Sequence, residues 1–289
     1  MRVVSKVSTK VSQTKLTSTE FMDWAPRGAY TTARTIKSGD RVFELPRHIE
    51  RLVTSSKPFV KGAIPDQKVR RLALAAIEDA MDGSRELMDS SDCKLTVVIA
   101  VKESEGDGKD VEAYAHIEAM KAKDLTKPIY VALGGPPREN AVVKDSKWVH
   151  DRKSIVDTTA EETLLLGKDG TVILEGSQTN FFAVLPSGAV YTAKDGILEG
   201  TVRAAVIDAC KVLGIPLVLE APAVSDLEDY KEAFIASTSR LVMPIDVLGA
   251  RRMPNERPVT EKIAEWVKKH VEDRSVSVKE FSRTTLATL

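Results

Sequence analysis

The chain has little with which to hold a metal ion or a disulfide framework. Its two cysteines, Cys93 and Cys210, lie far apart, and its four histidines (His48, His116, His150, His270) are scattered. No Cys-x-x-Cys or His-x-x-x-His spacing occurs, so a structural zinc site is not expected and both thiols read as reduced. No apolar run reaches membrane-spanning length, and no signal-peptide pattern opens the chain. There is no excess of charge: 42 basic residues balance 42 acidic ones, so no global field recommends nucleic acid or an anionic membrane as a partner. Also missing are G-x-G-x-x-G after a strand and G-x-x-x-x-G-K-[ST], the usual support for a nucleotide fold.

What remains is an ordinary globular composition, 43 % hydrophobic and 29 % charged over 289 residues, enough for one large domain or two of common size. The first 19 residues carry Arg2, Lys6, Lys10 and Lys15 among many Ser and Thr, and no acid. That fits an organelle transit peptide and a flexible or strand-forming start alike; the cytoplasm is the expected compartment.

Along the chain, "YTTARTIKSGDRVFE" (30–44) reads as two strands around a Ser-Gly-Asp turn. A helix is expected just after Pro46, with Ile49, Leu52 and Val53 on one face, and a second one near 66–88. Strands follow at 94–102, 111–120 and 127–135. The breaker-rich "GGPPREN" (134–140) is the expected linker between an N-terminal lobe, 1–133, and a C-terminal lobe, 141–289. "ETLLLGKDGTVILEG" and "FFAVLPSGAVYTA" read as hairpins turning on Lys-Asp-Gly and Pro-Ser-Gly. Thr201–Gly214 reads as an amphipathic helix stopped by its glycine, and 258–272 as a last helix. Helices and strands mix without a βαβ rhythm, which predicts an α+β fold in two lobes.

Several positions suggest chemistry. The turn "LEGTVR" leads straight into the 201–214 helix, so the N–H groups at Thr201 and Val202 point out of a helix start that attracts anions. The hydroxyls of "STS" (237–239) at the end of an apolar strand, and Arg51 in "HIERL", are candidate partners of the same anion. Glu175 closes the apolar strand "VILEG", and Lys153 lies in "WVHDRKSIV". Taken singly, each also fits a solvated charge, a turn or a water-filled helix start.

Read in order, "WVHDRKS", "LEGSQTNFF", "ILEGTVR" and "FIASTSRLVMPI" resemble the successive motifs of the fold-type IV pyridoxal-phosphate enzymes, which include D-amino-acid aminotransferase, branched-chain aminotransferase and aminodeoxychorismate lyase. The resemblance extends back through "RGAYTTARTIKSGDRVFELPRHIERL" and covers roughly residues 27–250. It implies a two-lobed homodimer holding pyridoxal 5'-phosphate between the lobes. It implies that Lys153 forms the Schiff base and shuttles the proton, that Glu175 faces the ring nitrogen, and that Leu198 packs on the ring. Arg51, the backbone at Thr201 and Val202, and Ser237 with Thr238 would hold the phosphate. Tyr30 matches a residue on the substrate side, and Lys102 lies near the position where D-amino-acid aminotransferase carries its substrate-carboxylate arginine. Asn180, Phe181 and Phe182 would be turn and core behind the cofactor, and His150 and Arg152 surface residues. The implied reaction moves an amino group between an amino acid and a 2-oxo acid. The alternatives are an elimination giving pyruvate and 4-aminobenzoate, and a non-catalytic descendant.

One feature departs from the family. Only 22 positions separate Lys153 from Glu175, fewer than in the relatives, as though a helix after the lysine were missing. Lys144 and Lys147 are the nearby alternatives for the Schiff-base lysine.

Overall fold

Alternation along the 94–102 strand feeds two cores at once. Leu95, Val97 and Ile99 enter one buried cluster, and Val98 and Ala100 enter another on the opposite face, as a period of two requires. The computed structural model describes residues 3–6, 9–13, 15–36, 40–60, 64–104, 108–120 and 128–287.

The elements run in order as β1 (Val3–Lys6), β2 (Thr9–Gln13), α1 (Ser18–Trp24), β3 (Gly28–Arg34), β4 (Arg41–Phe43), α2 (Leu45–Val60), α3 (Asp66–Asp82), α4 (Arg85–Ser90), β5 (Cys93–Ser104), β6 (Gly108–Ala119) and β7 (Tyr130–Gly135). Then come α5 (Lys147–Asp151), β8 (Glu162–Leu166), β9 (Ile173–Gly176), β10 (Asn180–Val184), β11 (Val190–Tyr191), α6 (Thr201–Leu213), β12 (Leu217–Val218), β13 (Glu232–Ser237) and β14 (Leu241–Pro244). The chain closes with β15 (Val247–Leu248), β16 (Arg251–Arg252), α7 (Pro258–Lys269), β17 (Ser275–Ser277) and α8 (Val278–Ala287).

The chain divides into two units, Met1–Lys121 with Val143–His150 and Val271–Leu289, and Ala122–Val142 with Asp151–His270. The division differs from a cut at 134–140. That segment lies inside the second unit, while the C-terminal residues belong to the first, because β17 pairs with β4 and α8 packs on α3.

In the first unit a five-stranded antiparallel sheet has the order β2-β1-β6-β5-β3. Helices α2 and α3 cover one face, burying Ile49, Leu52, Leu74 and Ile77 against Leu95, Val97 and Ile117. Phe21, Tyr30, Val98, Tyr114 and Val149 fill the other. The expected 30–44 hairpin is altered: β3 pairs with β5 and β4 with β17, and the two meet at a single bridge, Thr35↔Val42. Residues 37–39 of its turn lie outside the described residues. The expected 66–88 helix breaks at Gly83 and Ser84 and restarts as α4, since glycine is a poor helix former and Gly83 N–H already closes α3 on Asp79.

In the second unit both expected hairpins form, β8–β9 and β10–β11, and β10 also pairs with β13 in antiparallel register. Phe181, Ala183, Ala233 and Ile235 of β10 and β13 share a core with Val131 and Leu164. Helix α6 buries Val202, Ala205, Val206 and Ala209. It ends as the sequence predicts, at Gly214 in the left-handed conformation (φ 67°).

Candidate functional site

In the second unit, the short strand β9 delivers Glu175 into the interior, 3 % exposed. Its Oε2 accepts a hydrogen bond from the Leu198 N–H at 2.9 Å. The Arg138 guanidinium faces Oε1 at 3.6 Å, with both side chains buried. A buried charge is tolerated only when paired in this way. Asn180, directly across the ladder from Glu175, donates from Nδ2 to the Leu198 carbonyl at 2.7 Å. The Leu198 peptide is thus held at both ends, by the carboxylate and by the amide.

Two residues on, Gly200 caps α6 with no side-chain hydrogen bond to the helix start. A Cβ there would fall 2.0 Å from Asn180 Oδ1, which makes glycine a requirement of the packing. Thr201 and Val202, both buried, form the first turn, whose N–H groups have no intrahelical acceptor. Arg203, also buried, donates to the Ala193 carbonyl at 2.8 Å. Burial lowers its pKa, and the charges of Glu199 and Glu175 pull the other way. Glu175 therefore sits in the field of two arginines.

The loop after Glu175 is fixed from below by a second buried carboxylate. Glu162 Oε1 accepts from Ser177 N–H at 3.0 Å and from its hydroxyl at 2.6 Å, and Oε2 accepts from Gln178 N–H at 3.1 Å. On the far side of Asn180, β13 pairs through Ala236 and ends in Ser237. The chain then turns through Thr238 to Leu241, which adopts φ 52°, a costly value for a branched residue. Asn180 thus joins the Glu175 strand end to the Leu198–Gly200 turn before Thr201 and Val202, and Ser237 and Thr238 follow Ala236, its partner on β13. Phe181 and Phe182 are core, as expected, with Phe182 stacked on Phe234.

In the first unit a different set gathers on α2. His48, Arg51 and Ser55 recur at helical spacing. His48 is fully buried, and its Nδ1 lies 2.7 Å from Thr31 Oγ1. Burial, with the charges of Arg51 and Lys144, holds its pKa well below the usual 6.5, so the ring is neutral. Lys144 lies on an extended segment whose Asp145 bridges Ala29 of β3. Its carbonyl accepts from Tyr30 N–H at 2.9 Å, its N–H donates to Ser55 Oγ at 3.0 Å, and its Nζ stands 4.6 Å from the centre of the Tyr30 ring. Arg51, Tyr30 and Lys144 thus share one neighbourhood.

Lys153 is elsewhere: it occupies an exposed 3-10 turn, Arg152–Ser154, in the second unit. Lys102, 54 % exposed on β5, pairs with Glu112 at 3.2 Å. His150 is exposed beside Asp23. Sequence reasoning missed Arg138, Ser55 and the clasp made by Asn180. Arg138 sits among prolines and glycines without periodicity; the usable signal was the need of a buried Glu175 for a cation. Among the described residues, no group of three or more His, Cys, Asp or Glu is placed to hold a metal, and no helix is long and apolar enough to cross a membrane.

Comparison with known proteins gives a consistent picture. The model of the amino-transferase class IV family matches residues 28–248. A protein of Thermotoga maritima described as a "probable branched-chain-amino-acid aminotransferase" is 35 % identical over 108 residues, 37 % of this chain and 38 % of the relative. The chain therefore matches well under half the length of that relative. Among solved structures, the branched-chain aminotransferase of Thermoproteus uzoniensis with norvaline superposes with a TM-score of 0.73 at 19 % identity, covering 94 % of this chain and 95 % of the other. A hypothetical aminotransferase from Mycobacterium tuberculosis in its PLP-bound form gives 0.72 at 18 %, covering 94 % and 99 %.

Proposed function

The chain belongs to the class IV aminotransferases, and from that premise we propose that it transfers an amino group between a branched-chain amino acid and a 2-oxo acid with pyridoxal 5'-phosphate, through Lys144. The observation that carries the reading is the buried Glu175, ion-paired with Arg138 beside the uncapped start of α6. The chemistry of this donor set fits the cofactor: a carboxylate for a ring N–H, helix-start amides and hydroxyls for a phosphate, and a lysine for an aldehyde.

When bound, pyridoxal phosphate supplies an aldehyde for amine condensation and a ring that takes up the electron pair left when the Cα–H bond breaks. The protein's residues do the rest. Glu175 would face the ring nitrogen, with Arg138 opposite its other oxygen at 3.6 Å. In the second unit, Thr201 and Val202 N–H with Ser237 and Thr238 would hold the phosphate, and the family resemblance implies Arg51 as a further contact. Lys144 would supply the amine that condenses with the aldehyde, with loss of water, and the base that moves the substrate's Cα proton. Leu198 packs on the ring, and Tyr30 lines the substrate side.

Lys144 takes the role first expected of Lys153 on two supports. Its side chain lies on Tyr30 in the neighbourhood of Arg51, whereas Lys153 is exposed. Counting from Lys144 also widens the interval to Glu175 from 22 to 31 positions, in the direction of the longer interval that the family resemblance implies. The relatives reported above are aminotransferases by description, and none is a lyase. The branched-chain preference is drawn from the descriptions of two of them. We extend the reading to a homodimer in the cytoplasm, supported by the family resemblance and by two unpaired thiols.

The test is a coupled assay of the cofactor-loaded protein with L-leucine, L-valine or L-isoleucine and 2-oxoglutarate. Formation of glutamate with ping-pong kinetics is expected. Pyruvate and 4-aminobenzoate from aminodeoxychorismate, without glutamate, would contradict it.

A further inference from the structure

Helix α2 carries Arg51 and Ser55 one turn apart, about 6 Å along the axis. The Ser55 hydroxyl is buried at 2 % exposure and accepts the Lys144 N–H at 3.0 Å. The Lys144 carbonyl is taken by Tyr30 N–H at 2.9 Å. Both polar groups of that peptide residue are therefore fixed, one by sheet backbone and one by a single helix hydroxyl. The helix cannot drift, because Ile49, Leu52 and Val53 are locked in the core on its other side.

We propose that Ser55 is a positioning residue for Lys144: it ties the lysine backbone to the helix that bears Arg51, so that one rigid element sets the span between the anion-binding guanidinium and the reactive amine. This rests on Lys144 being the lysine that condenses with the cofactor. The neighbouring Ser56 supplies an internal comparison. It is equally buried, but its hydroxyl donates to the Val53 carbonyl of its own helix at 2.9 Å. Losing the Ser56 hydroxyl removes a local bond; losing that of Ser55 releases Lys144.

The experiment uses two probes on the full chain. Pyridoxine 5'-phosphate has no aldehyde and reads ring and phosphate recognition alone. Pyridoxal 5'-phosphate followed by borohydride reads covalent linkage, with the modified lysine located by peptide mapping. In Ser55→Ala, linkage is expected to slow by about 10- to 100-fold, the cost of a misplacement near 1 Å. Pyridoxine 5'-phosphate affinity should be unchanged, as should both readouts in Ser56→Ala. Ser55→Cys keeps the size with a weaker acceptor and gives a partial loss, which serves if the alanine variant does not fold. Unchanged linkage in Ser55→Ala and Ser55→Cys overturns the proposal. So does parallel loss of both probes, which marks damage to the helix as a whole. Label on a lysine other than Lys144 in the unsubstituted protein refutes the premise instead, and the two failures are separable.

Discussion

Arg138 and Glu175 oppose each other at 3.6 Å with 6 % and 4 % of their side chains exposed. Neither is near the other in sequence, and the pair makes a buried carboxylate affordable at the end of β9. Removing one partner of such a pair strands the other charge, at a cost of about 3–5 kcal/mol. Arg138→Met should therefore lower unfolding free energy by that amount in urea titration, well beyond the effect of losing an exposed pair such as Arg85–Asp82.

Glu175→Gln keeps the size and the acceptor for Leu198 N–H but removes the charge. Turnover should fall about 10²–10³-fold, the scale of losing one preorganised electrostatic group. Cofactor should remain bound, read by the protein's visible absorption. Retention of full activity would mean that Glu175 does not serve the ring nitrogen.

Gly200 has φ −64°, a conformation any residue adopts, so Gly200→Ala costs through contact alone. Its Cβ meets Asn180 Oδ1 at 2.0 Å, and relieving that overlap disturbs the Asn180–Leu198 bond. Overpacking of this kind costs about 1–3 kcal/mol. The variant should unfold at lower urea and bind pyridoxine 5'-phosphate less tightly.

The pH dependence of stability has a definite sign at His48. Its folded pKa lies well below 6.5 because of burial and of the Arg51 and Lys144 charges. The unfolded state therefore binds a proton that the folded state refuses. The contribution is intact above the unfolded pKa and is lost as pH falls below it, at up to about 1.4 kcal/mol per pH unit. His48→Gln should flatten the unfolding free energy between pH 6.5 and the acid limb.

Both thiols are pushed by burial to a pKa of about 11. Neither Cys93 nor Cys210 should react with Ellman's reagent at pH 8 in the folded protein, and both should react on unfolding.

The fold was legible where local signals are strong. Gly214, the Lys-Asp-Gly turn and the stripe of α2 each state their element in the residues themselves. Pairing was less legible: nothing local tells "RVF" at 41–43 to join a strand beyond residue 270, or joins 271–289 to the first unit. The candidate site followed the same division. Glu175 and the start of α6 announce themselves by a carboxylate and a glycine at element ends. Between Lys144 and Lys153 the sequence offers only the interval to Glu175, since both lie in short polar segments; the contact of Lys144 with Tyr30 is visible only in three dimensions. Arg138 carried no pattern at all; it becomes visible once Glu175 is known to be buried.

The most direct test is borohydride reduction of the pyridoxal-phosphate-treated protein, with peptide mapping of the product. A stable adduct on Lys144, lost in Lys144→Ala and kept in Lys153→Ala, is the predicted result. An adduct on Lys153, or no adduct on any lysine, would contradict the account.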